Sequence, residues 1–188
     1  MGKIILASSS PRRADILKTT KLDFTIIPST YAEPHERTVF SYDYAESLAY
    51  NKALAVARDF EGKDYTIIGA DTIVVIDNRI LGKPQNRPEA HEMLTSLSGR
   101  THFVVTGIAL INSLNMAYKI KSTTTYVTFN DLTEEQINYY IDNFKPYDKA
   151  GSYGIQELPE GYVRQVQGSL DNVIGLPSTT LLEMLEDF

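Results

Sequence analysis

The chain has 188 residues, 43% of them hydrophobic and 22% charged, with a formal net charge of −6 and no cysteine. This composition is typical of a globular protein of one domain or two small lobes. It excludes disulfides, thiolate metal sites and a cysteine nucleophile, and the negative charge argues against general affinity for nucleic acid or anionic membranes. The N-terminus does not resemble a signal peptide and no apolar run could span a bilayer, so we expect a cytoplasmic protein.

The first thirty residues predict a strand, a helix and a second strand. Short hydrophobic runs at residues 3–6 and 24–27 favour the two strands. Between them, Ser10 suits a helix N-cap and Pro11 suits the first helical position, so the helix extends from Pro11 to about Lys18.

Arg12 and Arg13 fall in the first turn of this helix, beside the hydroxyls of Ser8, Ser9 and Ser10. The helix dipole already places positive partial charge there, so two arginines are mildly destabilising unless an anion binds. A phosphate would be contacted by hydroxyls, N–H groups and guanidinium groups together. A capped surface helix with its arginines in water explains the same residues, so this motif alone leaves both interpretations open.

A polar loop and a long helix follow. Residues 29–39 are polar and include Glu33, which predicts a loop. Small and apolar residues at helical spacing then predict a helix over residues 42–60, with Lys52 at the margin of its buried face. Glu33 is also consistent with a solvated surface charge, and Lys52 with a lysine whose stem covers apolar surface.

The next predicted strand covers residues 65–69 and ends at residues 70–72, before a tight turn at residues 77–78. The small side chains at Gly69 and the residue after it allow another group to approach the backbone beside Asp71. An Asx turn, in which Asp71 stabilises a loop, is the alternative.

The second half of the chain predicts three helices and three strands. Helices are expected at residues 88–97, 137–144 and 178–185, the second started by a capping box at Thr133 and Gln136, and strands at residues 103–110, 117–129 and 162–166. Residues 145–156 form a loop rich in glycine, tyrosine and charge. The order of these elements predicts an α/β fold with a mixed sheet flanked by helices, two lobes and a cleft.

Polar side chains cluster where the predicted strands meet loops, which is the usual ligand-binding edge of α/β proteins. They are residues 8–13, Asp71 with Thr72, Lys83 and Lys149. Together with Glu33 they supply two acids for a divalent ion and several cations for phosphate oxygens. The sequence therefore has the composition of a phosphoryl-transfer site.

Other chemistries lack their signatures. His35, His91 and His102 show no zinc-ligand spacing and are expected on the surface or in loops. No P-loop or GxGxxG motif follows a strand, and the GxSxG motif is absent. Most tyrosines suit core packing, whereas Tyr153, in a glycine-rich segment at residues 151–154, is expected as an aromatic residue of the pocket.

Several ordered motifs resemble the Maf proteins, a family of nucleoside triphosphate pyrophosphatases. The resemblance runs nearly end to end, and its motifs are Leu-Ala-Ser-Ser-Ser-Pro-Arg-Arg at residues 6–13, Lys52, Ile-Gly-Ala-Asp-Thr at 68–72, Leu-Gly-Lys-Pro at 81–84, Leu-Ser-Gly-Arg-Thr-His at 97–102 with Val-Thr-Gly at 105–107, Asp-Lys-Ala-Gly-Ser-Tyr-Gly-Ile-Gln at 148–156 and Asn-Val-Ile-Gly-Leu-Pro at 172–177. It implies a single domain over residues 1–188, with an elongated two-lobed α/β fold around a central cleft, similar to the inosine triphosphate pyrophosphatases. It also implies cleavage of a nucleoside triphosphate between its α and β phosphates, with Mg²⁺ or Mn²⁺. Members of the family are often homodimers, so a homodimer is expected.

The resemblance also implies roles for individual residues. Asp71 is the general base or the carboxylate that orients water, with Lys52 and Lys83 as further catalytic residues. Ser8, Arg13 and Lys149 bind the triphosphate. Glu33 and Asp71 hold the metal, and Glu36 lies in the same loop as an alternative to Glu33.

Within the family, Arg12, Thr72 and Gln156 match the branch that acts on dTTP and UTP. An amide such as Gln156 offers both a donor and an acceptor to a pyrimidine edge. Leu170 departs from the pattern, because the family has an aromatic residue there. Two alternatives stay open at this point: a nucleotide-binding regulator of cell division (septum formation) with incidental hydrolysis, and an enzyme for modified nucleotides.

Overall fold

Residues 2–34 and 39–188 are described by a computed structural model, and they form seven strands and six helices. The strands are β1 (Lys3–Leu6), β2 (Phe24–Ile26), β3 (Tyr65–Ile76), β4 (Arg79–Leu81), β5 (Thr101–Asn112), β6 (Tyr118–Phe129) and β7 (Val163–Gln167). The helices are α1 (Pro11–Thr19), α2 (Tyr42–Asp59), α3 (Arg87–Leu97), α4 (Glu134–Phe144), α5 (Leu170–Ile174) and α6 (Ser178–Glu186). His35 and Glu36 lie outside the described residues, so the expectations for them stay predictions.

The seven strands form one mixed sheet in the order β2-β1-β3-β5-β6-β7, with β4 paired to β3. β1 lies parallel to β2 and β3, and helices α1 and α2 supply the crossover connections that parallel pairing requires. β5, β6 and β7 continue the sheet in antiparallel fashion. The predicted mixed α/β class is therefore confirmed.

β3 differs from its prediction. It does not end before Asp71 but runs for 12 residues, so Asp71 and Thr72 lie in the middle of a strand and the predicted loop or Asx turn is wrong. The neighbouring strands end instead, because β1 pairs with β3 only as far as Ile68 and β4 pairs with it only from Val74. Among the described residues, no strand covers this edge of residues 69–73, a gap that we call the β3 notch.

Helices cover both faces of the sheet. α2 buries its predicted stripe of small residues on one face, against the neighbourhood of Ile67. α1 and α6 pack on the other face, around Ile68 and Ala70. Because side chains alternate along a strand, odd-numbered residues of β3 face α2. Even-numbered residues lie on the other face, with Ile68 and Ala70 near α1 and Val74 and Ile76 near α3. Within the described residues, no helix combines the length and apolar character needed to cross a membrane.

Three smaller features complete the comparison with the sequence. The predicted turn at residues 77–78 is confirmed, with φ of 51° and 59°, values typical of a two-residue hairpin loop. α5 was not predicted, because five residues are too few to show helical periodicity. Lys149 was predicted to follow a strand, and this is wrong. It lies after α4, immediately before a 3-10 turn at Ala150–Ser152.

Candidate active site

A pocket of about 1010 Å³ opens at the β3 notch. Every side chain that the sequence assigned to the site lines it: Ser8, Arg12, Arg13, Glu33, Lys52, Asp71, Thr72, Lys83, Lys149 and Gln156. Five of these ten are lysine or arginine, although the whole chain has a net charge of −6. The notch therefore concentrates positive charge where an anionic ligand could enter.

Lys52 joins the two predicted acids. Its Nζ lies 2.6 Å from Glu33 Oε1 and also contacts Asp71 Oδ1. The Asp71 side chain is only 10% exposed, whereas Glu33 is 51% exposed. Burial raises the pKa of Asp71, and Lys52 and Arg13 oppose this shift. Burial also acts to raise the pKa of Glu33, but Lys52, Lys83 and Arg13 together outweigh it and hold that pKa below its usual value. Asp71 thus has the raised pKa that suits a general base near neutral pH.

Gly69 allows α2 to come close enough for these contacts. A Cβ atom at Gly69 would lie 2.2 Å from the backbone oxygen of Ala49 and 2.8 Å from Cβ of Ala53. Gly69 and Asp71 share one face of β3, so this close approach brings Lys52 of the same helix over Asp71. The small residues before Asp71 predict that another group approaches the backbone there, and that group is α2.

Arg13 lies on the opposite face of β3. Its Nε donates to Gly175 O at 2.8 Å, Nη2 donates to Thr72 Oγ1 at 3.1 Å and Nη1 donates to Ser8 Oγ at 3.4 Å. Burial lowers the pKa of Arg13, but a guanidinium keeps its proton in proteins. These contacts use three of its five N–H donors, so one N–H on each of Nη1 and Nη2 stays available to phosphate oxygens.

The loop after α4 forms another wall of the pocket. Asp148 accepts from Arg12 at 3.3 Å and from Lys149 at 2.8 Å, so it connects the start of α1 to this loop. The side chains of Lys83 and Gln156 are exposed in the pocket and have no hydrogen bond or ion pair with a described residue. Both are therefore available to a ligand.

Comparison with known proteins identifies the family. The family model described as Maf-like protein matches residues 3–188. The chain belongs to the Maf family. The dTTP/UTP pyrophosphatase of Bacillus cereus is 45% identical over 196 aligned positions, covering 100% of this chain and 96% of the relative. Relatives of the same name from Acetivibrio thermocellus and Syntrophus aciditrophicus are 42% and 40% identical, covering 100% and 98% of this chain and 96% and 89% of the relatives.

One histidine of this Maf-family chain contradicts its prediction. His102 was expected on the surface or in a loop, but it lies in β5 and is only 1% exposed. Its Nε2 is 2.6 Å from the hydroxyl of Tyr153, which lines the pocket as expected. Burial lowers the pKa of His102 to about 4, so the imidazole is neutral at pH 7. The sequence did contain a signal for this position, because the apolar run predicted as a strand begins at Phe103, directly after His102. In the structure β5 starts at Thr101 and so includes His102.

Two further residues were not identified in the sequence analysis. Thr106 and Asn172 are both fully buried, and Thr106 Oγ1 lies 2.9 Å from Thr72 Oγ1. Both occur within the motifs that carry the Maf resemblance, which was the only signal for them. Leu170, the departure from the Maf pattern, is 50% exposed and does not line the pocket.

Glu33 and Asp71 are the candidate ligands for a divalent metal ion that also binds phosphate. Maf-family pyrophosphatases are metal-dependent hydrolases. In the part of the chain that the structure describes, no group of three or more His, Asp or Glu could form a metal site. Glu33 and Asp71 nevertheless converge on one point, Lys52 Nζ. Ions such as Mg²⁺ commonly take one or two carboxylates and complete their shell with water and substrate phosphates, so this donor set is sufficient.

Proposed function

We propose that the chain is a nucleoside triphosphate pyrophosphatase that hydrolyses dTTP and UTP to the monophosphate and pyrophosphate. The main support is the arrangement at the β3 notch, where the Lys52–Asp71–Glu33 cluster lies on one face of β3 and Arg13 lies on the other. Similarity over the full chain to relatives named dTTP/UTP pyrophosphatase supports this substrate class. Because these relatives are named for an enzymatic activity, a regulator of cell division that only binds nucleotide is less favoured.

The triphosphate is bound by the cationic side of the pocket. Arg13 offers its two remaining N–H groups, and Ser8 lies next to it. Lys83 has no ion pair with a described residue, so binding a phosphate costs it no existing contact. Lys149 is already paired with Asp148 at 2.8 Å and with Glu157 at 3.2 Å, and it contributes from the loop after α4.

Asp71 is the proton acceptor in this proposal. It orients a water molecule toward the α phosphorus and takes its proton, and its raised pKa makes it a better base near neutral pH. Lys52 contacts Asp71 and opposes the rise in its pKa that burial causes. A divalent ion, Mg²⁺ or Mn²⁺, held by Glu33 and Asp71 would polarise the phosphate as a Lewis acid. Arg13 and the lysines offset the negative charge that develops on the departing pyrophosphate.

We assign the choice of nucleotide to Arg12, Thr72 and Gln156. The Gln156 amide has no partner among the described residues, so it can pair a donor and an acceptor with a pyrimidine edge. Arg12 pairs with Asp148 at the pocket wall, whereas Arg13 donates to Gly175 O.

A substrate panel tests the proposal. Purified protein is incubated with each ribo- and deoxyribonucleoside triphosphate and with modified pyrimidine triphosphates, in Mg²⁺ or Mn²⁺, and pyrophosphate release is measured. We expect the highest kcat/KM for dTTP and UTP. Release from other triphosphates but not from dTTP or UTP would overturn the substrate assignment, and no release from any triphosphate would overturn the activity. A cytoplasmic location and a homodimer stay predictions, and light scattering would check the second.

A further inference from the structure

A row of hydrogen bonds runs from Arg13 into the interior of the sheet. Arg13 Nη2 lies 3.1 Å from Thr72 Oγ1, which lies 2.9 Å from Thr106 Oγ1. Thr106 Oγ1 in turn lies 2.9 Å from the backbone oxygen of Asn172. The row starts on α1, crosses β3 and β5 and ends on α5, so it connects the arginine of α1 to three other elements of the fold.

The two ends of this row determine the direction of every bond in it. A guanidinium can only donate and a carbonyl oxygen can only accept. In a regular helix the N–H of Leu176 would donate to the Asn172 oxygen, but here it donates to Asp171 O. The Asn172 oxygen is therefore free to accept the proton of the Thr106 hydroxyl. Thr106 therefore accepts from Thr72, and Thr72 accepts from Arg13.

The inner end of the row is rigid. Thr106 and Asn172 are both 0% exposed, and Thr106 does not line the pocket. The Asn172 side-chain nitrogen donates to Val104 O and to Thr125 Oγ1, both at 3.0 Å. These bonds hold α5 against β5 and β6, so the acceptor for Thr106 has a defined position.

We propose that Thr106 is a positioning residue for Arg13, although it touches no substrate. By accepting the Thr72 proton, Thr106 leaves a Thr72 lone pair directed at Arg13. Without the Thr106 hydroxyl, the nearest other acceptor for the Thr72 proton is Gly175 O at 3.4 Å. A Thr72 hydroxyl that rotates to donate to this carbonyl turns its own lone pairs away from Arg13 Nη2, so the guanidinium loses an acceptor that aligns it. This inference rests on the assignment of Arg13 to phosphate binding.

A pair of substitutions that differ only in one hydroxyl tests the role. Thr106→Ser and Thr106→Ala both lose the methyl group, but only the serine keeps the hydroxyl. We expect Thr106→Ala to raise the Kd of inorganic triphosphate, measured by calorimetry, about tenfold. Thr106→Ser should bind like the wild type. Equal Kd values for the two variants would overturn the proposal. If Thr106→Ala does not fold, Thr106→Val takes its place in the same comparison, because it lacks the hydroxyl and keeps the volume.

A control separates alignment from a general loss of stability. Ser113 is also fully buried, donates to the backbone oxygen of Lys63 at 2.6 Å and does not line the pocket. Ser113→Ala should lower Tm as Thr106→Ala does and leave the Kd of inorganic triphosphate unchanged. Wild-type protein that binds inorganic triphosphate but hydrolyses no nucleotide would refute the proposed function and leave this inference standing. Wild-type protein that does not bind it would overturn the inference.

Discussion

Asp71 and Thr72 are consecutive residues of β3 whose side chains leave the strand on opposite faces, and each contacts a different cation. Asp71 contacts Lys52 of α2, and Thr72 accepts a hydrogen bond from Arg13 of α1. Alternation along the strand explains the opposite faces, and the uncovered edge at the β3 notch opens both to one pocket. One strand thus presents a carboxylate from one face and an anion-binding arginine from the other.

Asp71→Asn should abolish most of the turnover and preserve binding. The amide has nearly the shape of the carboxylate but cannot take a proton from water, so we expect kcat to fall about 10²- to 10⁴-fold. The Kd of dTTP, measured by calorimetry without divalent ion, should change little because Arg13 keeps its contacts. Asp15→Asn, an exposed acid on α1 paired with Lys18, is the control and should retain wild-type kcat. Wild-type turnover in Asp71→Asn would exclude Asp71 as the base.

Lys52→Gln should move the acidic limb of the pH profile to higher pH. Lys52 lowers the pKa of both Asp71 and Glu33, so its removal makes both carboxylates harder to ionise. A base with a higher pKa is protonated at a higher pH as the solution is acidified, so activity is lost at a higher pH. A plot of kcat/KM against pH measures this shift. Lys52→Arg keeps the positive charge and should move the limb less. An unchanged limb in Lys52→Gln would mean that the ionisation of these acids does not control the rate.

His102 should make the protein less stable in mild acid. Its pKa in the folded protein is about 4, below the 6.5 of an unperturbed imidazole, so between these values the unfolded chain binds the proton more readily. The free energy of unfolding should therefore fall as pH drops from about 6.5 to about 4, by up to about 3 kcal/mol. Denaturant unfolding of wild type and His102→Gln across this range measures the difference. His91→Gln, on the partly exposed histidine that pairs with Glu134, should leave the wild-type slope in place.

Gly175→Ala should weaken both stability and phosphate binding. Gly175 has φ of 133°, in a region that side chains other than glycine rarely adopt, and alanine there costs about 1–3 kcal/mol. Relief of this strain rotates the peptide whose oxygen holds Arg13 Nε. Gly161→Ala is a matched control, because φ is 87° and no atom lies within 4 Å of its Cβ position. Gly161→Ala should lower Tm without changing the Kd of inorganic triphosphate. An unchanged Kd in Gly175→Ala would show that the Gly175 carbonyl does not align Arg13.

Local chemistry explains why most elements could be predicted. Ser10 caps α1 and accepts from the backbone N–H of Arg13, and Thr133 and Gln136 form the predicted capping box of α4. Signals of this kind lie within four residues of the feature that they determine, so they are visible in the sequence. The composition of the site could be predicted for a related reason, because the Maf motifs contain its charged residues.

Long-range contacts explain what could not be predicted. The strand was predicted to end at residues 70–72, but it continues because β5 pairs with it from Thr66 to Val75. Gly69 suggested a close approach beside Asp71, but only the fold reveals that the approaching group is α2. His102 suggested a surface position, because its partner Tyr153 is 51 residues away in the chain. Thr106 carries no local sign of its role, since its importance depends on the simultaneous positions of Thr72 and α5.

The two neighbouring arginines of α1 should respond differently to substitution. Arg13 is tied to Gly175, Thr72 and Ser8, so Arg13→Ala should raise KM for every triphosphate. Arg12 has a side chain that is 32% exposed, and its one ion pair with a described residue is with Asp148 at the pocket wall. Arg12→Ala should therefore change the ranking of dTTP and UTP against purine triphosphates more than it changes the overall rate. Measuring kcat/KM across the nucleotide panel checks both, and matching profiles for the two variants would contradict a division of roles between phosphate and base.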